Sequence, residues 1–369
     1  MERQHPNHDQ EHPLPETHNK VFITWRTRIA RPPGRENGLV NENRSPSVAI
    51  LLPVLNEGAN IDDCLQSLAD QIYEGPIEIL VADGGSTDDT MDRLGRWSDL
   101  INNLRIYENP DKMQSAGLNL LAEVAHSEIL IRADAHTRYA RDYVSRSVAA
   151  LDGTPGTAVG GPMLPEGTTD FGRAVAIAFR SPLAIGPARF HHATKPTEAD
   201  TVYLGAMQKA TWDSLGGMRA LPSRVAEDAD FYYRLRKAGG RVLVDPAIVS
   251  TYRPRATVSD LWRQFYRYGL GKADMLYVNG EFPSWRPLAP LALMLGLAVG
   301  LVLLAFGDPR LLTIALVVWL VTLAIASRLN PLVLVATAVM HISYGLGLSR
   351  GLMRRPSRVR DWVKAASLT

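Results

Sequence analysis

Four short apolar runs, at residues 48–53, 77–82, 104–107 and 129–133, alternate with segments whose apolar residues recur at helical spacing. Behind Asn60, which can cap a helix, Ile61, Leu65, Leu68 and Ile72 mark the first such segment, and Gly75-Pro76 breaks it. A second helix follows the loop at 83–90, and a third covers 113–124. Strands alternating with helices predict a mostly parallel sheet with helices on both faces. Ligands of such a sheet sit beyond the carboxyl ends of its strands. The chemistry is therefore to be sought where each run ends.

The fourth run closes on Asp134 and His136. Two residues apart, they project to one side if the extended backbone continues. A carboxylate with an imidazole suits a divalent cation such as manganese or magnesium. By itself the stretch reads equally well as a strand followed by a polar loop. The second run ends in Asp83-Gly-Gly-Ser-Thr-Asp-Asp-Thr90. Gly84 and Gly85 allow close approach of backbone to a ligand, and Asp83 can accept hydrogen bonds from a base or ribose. The loop matches neither a phosphate-gripping motif nor a dinucleotide fingerprint, so alone it is a structural turn. Residues 226–240 form a helix with an acidic first turn and a glycine stop, and the helix dipole by itself favours such acids. Before it, 158–162 reads as strand and turn. Residues 168–200 read as irregular, with His191 and His192 as exposed loop histidines.

The formal net charge of +2 gives no reason to expect a nucleic-acid partner. Cys64 is the single cysteine, which excludes an intrachain disulfide and a zinc cluster and fits a reducing compartment. Residues 1–46, rich in His, Pro, Asn, Glu and Arg, predict a disordered arm. It lacks the apolar core of a secretory signal, so the domain after it, 47–256, is expected to stay in the cytosol. His5, His8, His12 and His18 read as solvated low-complexity sequence rather than a metal tract.

The back of the chain is very apolar. Residues 258–268 carry apolar positions at 258, 261, 262 and 265 opposite Arg263 and Arg267, the pattern of a helix lying on a membrane surface. This opens an interfacial region, 257–286. Runs at 288–306, 311–326 and 332–348 then fill a membrane domain, 287–349; about 20 apolar residues cross a bilayer. The basic tail, 350–369, is expected in the cytosol with the catalytic domain. Three full crossings would separate the two. Either one run is re-entrant or interfacial or the charge rule fails; the third run, broken by His341, Ser343, Tyr344 and two glycines, is the expected exception, with its polar residues toward the catalytic domain.

Four motifs in order carry a family resemblance: Pro53-Val-Leu-Asn-Glu57, Val81-Ala-Asp-Gly-Gly-Ser-Thr-Asp88, Asp134-Ala-His136 and Glu227-Asp228. Over about 47–268 the chain resembles the family 2 inverting glycosyltransferases with the GT-A fold. Its Gly84 and His136 variants look like the succinoglycan-type exopolysaccharide enzymes. The resemblance implies that Asp83 recognises the nucleotide base and that Pro53, Asn56, Glu57, Ser86, Lys112, Asp134 and Arg267 help hold a nucleotide-sugar. It implies a metal on Asp134 and His136, where a second acid is usual, and Asp228 as catalytic base. Gln264-Phe-Tyr-Arg-Tyr268 resembles the Gln-x-x-Arg-Trp signature of membrane-bound members, which places Glu227, Gln264 and Tyr268 on the acceptor side.

The implied activity is transfer of a hexose from a nucleotide-diphosphate sugar, such as UDP-glucose, to a lipid-linked (polyprenyl diphosphate) glycan. It would take place at the inner face of the plasma membrane, in surface-polysaccharide assembly. The competing expectations are a polyprenyl-phosphate glycosyltransferase, a processive polymer synthase, and a non-catalytic membrane scaffold of the same fold.

Overall fold

The computed structural model describes residues 44–151, 153–282 and 284–366, all within one compact unit, Asn41–Thr369. The arm expected over 1–46 lies outside the described residues except for its last three. The four apolar runs are strands β1 (Val48–Val54), β2 (Ile77–Asp83), β3 (Leu104–Glu108) and β4 (Ile129–Arg132). Helices α1 (Ile61–Ala69), α2 (Thr90–Leu100) and α3 (Gln114–Val124) connect them. The four strands pair in parallel in the order 3-2-1-4.

The chain continues through β5 (Thr137–Tyr139), α4 (Tyr143–Leu151), β6 (Thr157–Gly160), β7 (Met163–Pro165), α5 (Asp170–Phe179), α6 (Pro182–Ile185) and α7 (Arg189–His192). It then forms β8 (Thr197–Glu198), β9 (Ala206–Gln208), α8 (Lys209–Ser214), α9 (Glu227–Lys237), β10 (Arg241–Val244) and β11 (Ser250–Tyr252). β9 runs antiparallel between β4 and β6, β10 lies parallel to β6, and β8 adds an antiparallel edge. The large sheet thus has the order β3-β2-β1-β4-β9-β6-β10-β8, with a small second sheet β5-β11-β7 beside it.

The period of two along β1 sorts the core. Ile50 and Leu52 point to one face with Leu65, Leu94 and Val144, and Ala49 and Leu51 point to the other with Leu118 and Phe231. Several local expectations change. α1 stops at Ala69, and Ile72 is 60 % exposed, because its N–H turns away to the Arg141 carbonyl. Asn60 does not cap α1 with its side chain; it bonds Glu57 and Arg253 instead. The segment read as irregular contains α5, α6 and α7. Thr169 caps α5, and its Ala174, Val175 and Phe179 are buried at helical spacing.

Five helices complete the chain: α10 (Val258–Asn279), α11 (Leu288–Ala305), α12 (Arg310–Ser327), α13 (Pro331–Leu352) and α14 (Pro356–Ala366). α10 runs well past residue 268. Its Leu261 and Phe265 are buried among α5 and α13 rather than facing outward, while Val258 and Trp262 remain exposed. α11, α12 and α13 are each long and apolar enough to cross a membrane. α11 and α12 are mostly exposed, whereas α13 lies backbone-to-backbone on α10. A Cβ at Gly269 would stand 2.2 Å from the Tyr344 carbonyl oxygen, and one at Gly347 2.0 Å from that of Tyr266. The basic tail is helical as α14, seated by Val359 and Val363.

Candidate functional site

The loops after β1 and β2 are bonded into one piece. Asn56, at φ 55°, donates its N–H to Ser86 Oγ at 2.8 Å, and its Oδ1 accepts from Thr87 N at 2.8 Å. Glu57 N donates to Thr90 Oγ1 at 2.8 Å. The buried Asp83 carboxylate accepts from Gly85 N (2.9 Å), Ser86 N (3.0 Å) and Ser86 Oγ (2.6 Å), which closes a turn. Asn56, Asp83 and Ser86 therefore shape the loops. The residues that line the cavity in front of them are Pro53, Leu55, Glu57, Gly84 and Lys112.

At the end of β4 the extended backbone does not continue. The chain turns, with Thr137 N donating to the Asp134 carbonyl, because β5 must pair with β11. The Tyr139 hydroxyl fixes this turn, accepting from Asp134 N at 2.8 Å and lying 3.2 Å from the Asp134 carbonyl oxygen. Asp134 Oδ1 accepts from Gln114 Nε2 at 3.0 Å. His136 swings toward the first loop, its Nδ1 3.5 Å from Glu57 Oε1 and its ring edge-on to Tyr252. Burial disfavours charge on both groups, yet their mutual hydrogen bond and the opposite charges around them together outweigh it: the His136 pKa is raised and that of Glu57 lowered.

The donor set can be tested against a divalent ion. Among the described residues no three His, Cys, Asp or Glu side chains converge closely enough to hold one alone. Asp134 supplies an oxygen, and His136, with Nδ1 turned to Glu57, leaves Nε2 as the ligating nitrogen. By donor type the pair suits manganese, with a diphosphate and water needed to complete the shell.

Across the cavity stands the first turn of α9, entered through a strained backbone. Arg224 and Ala226 have φ 53° and 67°, and Lys112 and Leu204, which line the same cavity, have φ 54° and 59°. Such conformations persist where the surroundings enforce them, commonly at functional sites. Arg267 on α10 donates to the Ser223 and Arg224 carbonyls (3.4 and 3.1 Å), and the buried Asp274 accepts from Ser223 N at 2.9 Å. The three acids of α9 then diverge. Asp230 is fully buried in ion pairs with Arg219 and Arg234. Glu227, 4 % exposed, accepts from Ser115 Oγ at 3.1 Å, and burial pushes its pKa up to about 7. Asp228 faces the cavity. On α10, Gln264 Nε2 bonds the hydroxyls of Tyr252 (3.1 Å) and Tyr268 (2.9 Å), and all three side chains line the cavity.

Sequence reading missed Arg132. This buried cation ends β4 and lines the floor of the cavity, within electrostatic reach of Asp228 and Asp134. One guanidinium nitrogen donates to the Leu204 carbonyl at 3.3 Å. The next residue, Gly205, is at φ 104°, and a Cβ there would strike the Tyr232 hydroxyl at 2.1 Å. A charge inside an apolar strand run was the available signal, since such residues are rarely buried without purpose.

Glu57, Arg132, Asp134, His136, Asp228, Gln264 and Tyr268 share one cavity of about 1850 Å³, which runs from Gly84 past Asp134 and Asp228 to Ile314, Trp319 and Tyr344 of the apolar helices. Five buried side-chain polar atoms lack a partner among the described residues, and three of them, on Arg132, His191 and Gln264, belong to residues that line it. Native structures leave few buried polar atoms unpaired, so their gathering here marks a place built for a polar ligand.

The family model described as glycosyl transferase family 2 matches residues 49–205, and that described as glycosyl transferase family group 2 matches 129–346. The chain is 30 % identical over 328 residues to succinoglycan biosynthesis protein ExoA of Rhizobium meliloti (strain 1021), covering 86 % of this chain and 99 % of the relative. It is 25 % identical over 237 residues to a Methanococcus voltae dolichyl N-acetyl-alpha-D-glucosaminyl phosphate 3-beta-D-2,3-diacetamido-2,3-dideoxy-beta-D-glucuronosyltransferase, covering 62 % of this chain and 74 % of the relative. Among solved structures, the mannosyltransferase PcManGT from Pyrobaculum calidifontis, in complex with GDP-Man and Mn2+, shares the fold. The TM-score is 0.50 at 22 % identity, over 88 % of this chain and 89 % of that one.

Proposed function

The chain belongs to glycosyltransferase family 2, and we propose that it moves a hexose from a nucleotide-diphosphate sugar, such as UDP-glucose, to a lipid-linked glycan in exopolysaccharide assembly. One observation carries this reading: a single cavity joins the β-strand ends, where Asp134 and His136 sit, to Asp228 and then to the apolar helices. The donor lies against Pro53, Glu57, Gly84 and Lys112 with its diphosphate toward Asp134. The acceptor enters from the membrane side past Gln264 and Tyr268. The catalytic domain faces the cytoplasm, on the inner surface of the plasma membrane, where nucleotide-sugars are made.

Asp228 acts as general base. The acceptor oxygen attacks the anomeric carbon as its proton passes to the Asp228 carboxylate, and the bond to the diphosphate breaks with its electron pair leaving on the nucleotide. Configuration inverts, so an α-linked donor yields a β-linkage. A divalent ion on Asp134 and His136 would offset the charge that the leaving diphosphate gains. Arg132 sets a buried positive charge beneath both carboxylates. Arg267 holds the loop that aims Asp228.

Asp228→Asn is expected to abolish transfer while donor affinity, read by titration with the nucleotide-sugar, stays within about twofold, because the base touches the acceptor hydroxyl and not the nucleotide. Wild-type turnover in that variant would refute the assigned role. Near-full activity on polyprenyl phosphate alone would make an already ionised lipid phosphate the acceptor.

A further inference from the structure

The membrane-side arm of the cavity holds two cations that the chemistry above does not use. Lys272 projects from α10, and Arg286 lies just before α11; both line the cavity. Arg286 pairs with Asp200 at 2.8 Å. The Lys272 amine has only Met275 Sδ at 3.7 Å, and among the described residues no carboxylate lies within ion-pairing distance of it. Burial lowers the Lys272 pKa, and the pull of Asp228 in the other direction does not restore it. His191, whose Nδ1 is buried without a partner among the described residues, borders the same arm near Arg286. Arg286 already holds Asp200, so Lys272 is the cation without a carboxylate in bonding reach among the described residues, and an anion entering the arm would meet an unpaired amine beside a guanidinium.

Beyond them the arm becomes apolar. Leu183 of α6, Leu293 of α11, Val318 and Trp319 of α12, and Met340 and Tyr344 of α13 form its walls. These walls are tied together. Trp319 Nε1 donates to His341 Nδ1 at 3.3 Å, so Nε2–H of the same ring donates to the Leu183 carbonyl at 2.9 Å. A furrow braced in this way, apolar along its walls and with cations at one end, is complementary to an amphiphile with an anionic head.

We propose that Lys272 and Arg286 form a second anion subsite, which takes the diphosphate of the lipid-linked acceptor while the hydrocarbon tail lies in the furrow between α6, α11, α12 and α13. This rests on the reading of the protein as a transferase acting on a lipid-linked acceptor. It adds where the lipid is held and which side chains select it. The glycan joined to that diphosphate would be carried toward Asp228, whose charge lies within electrostatic reach of Lys272.

The test is calorimetric titration of the full-length, detergent-solubilised protein with farnesyl diphosphate, inorganic diphosphate and farnesol, alongside UDP with Mn2+. Lys272→Met is expected to weaken farnesyl diphosphate by about tenfold or more, the size of one charge-assisted hydrogen bond. UDP affinity should stay within about twofold, and Lys272→Arg should retain most of the lipid affinity. Trp319→Ala should weaken farnesyl diphosphate and leave inorganic diphosphate unchanged. Unaltered farnesyl diphosphate binding in Lys272→Met would overturn the proposal. So would an equal loss of UDP, which would place Lys272 in the donor site. Wild-type protein that takes farnesyl diphosphate but no nucleotide would overturn the proposed function and leave this subsite standing.

Discussion

Glu227 and Asp228 are neighbours in sequence and both border the cavity, yet Glu227 is buried against Ser115 while Asp228 stays partly exposed. The difference has a measurable consequence. The Glu227 carboxyl has a pKa near 7 in the folded protein, against 4.5 for an unperturbed side chain. Between those values the native state keeps a proton that the unfolded chain has released, so stability falls as pH rises from about 4.5 to 7 and is level above. Glu227→Gln should remove that slope, worth at most about 3 kcal/mol, when denaturant unfolding is compared at pH 5 and pH 8. An unchanged slope would place the titrating group elsewhere. The motif order in the sequence picked out the acids of 227–228 and the pair Asp134 and His136, which the structure brings to one cavity. By resemblance it gave Asp228 the role of base and Glu227 a place on the acceptor side, but the partners of Glu227 and Asp230, which are Ser115, Arg219 and Arg234, are fixed only by tertiary packing and were not legible. Arg132, the last residue of β4, was not legible as a site residue because only the fold brings the Leu204 carbonyl and the charge of Asp228 to it.

Among the elements, β1 to β4 and their helices were legible because each carries its own period, two or 3.6, within its own residues. α5 was not, since the prolines at 182 and 187 drew the whole segment toward loop although they lie beyond its last turn. α13 carries the most informative difference. Its polar face was expected to turn to the catalytic domain, and 44 % of its apolar window is buried, against 6 % for α11 and 17 % for α12. Glycines at 269 and 347 permit the contact with α10, and Gly347→Leu should cost about 1–3 kcal/mol in thermal unfolding by forcing the helices apart. If α11 and α12 cross as a hairpin and α13 stays on α10, the tail returns to the catalytic side and the charge rule is met. In a Cys64→Ser background, an impermeant maleimide should then label Asp308→Cys in intact cells, and label Ser357→Cys only after permeabilisation. Labelling of Ser357→Cys in intact cells would require an odd number of crossings.

For the molecule as a whole, the large α/β sheet and the three apolar helices behind it could be read from the order of motifs and the hydropathy. That the two share one cavity could not. The wall at Leu183 meets Trp319 and His341 through side-chain bonds between segments far apart in sequence, and no local pattern encodes such a meeting. Under the proposed function, the shared cavity lets a membrane-held acceptor and a nucleotide-sugar donor meet at one carboxylate, with the donor held through a metal at Asp134 and His136. Titration of the full-length protein with UDP, with and without Mn2+, tests this most directly. The account predicts that Mn2+ tightens UDP binding by about tenfold or more and that Asp134→Asn abolishes the gain. UDP affinity indifferent to Mn2+, or a gain that survives Asp134→Asn, would contradict it.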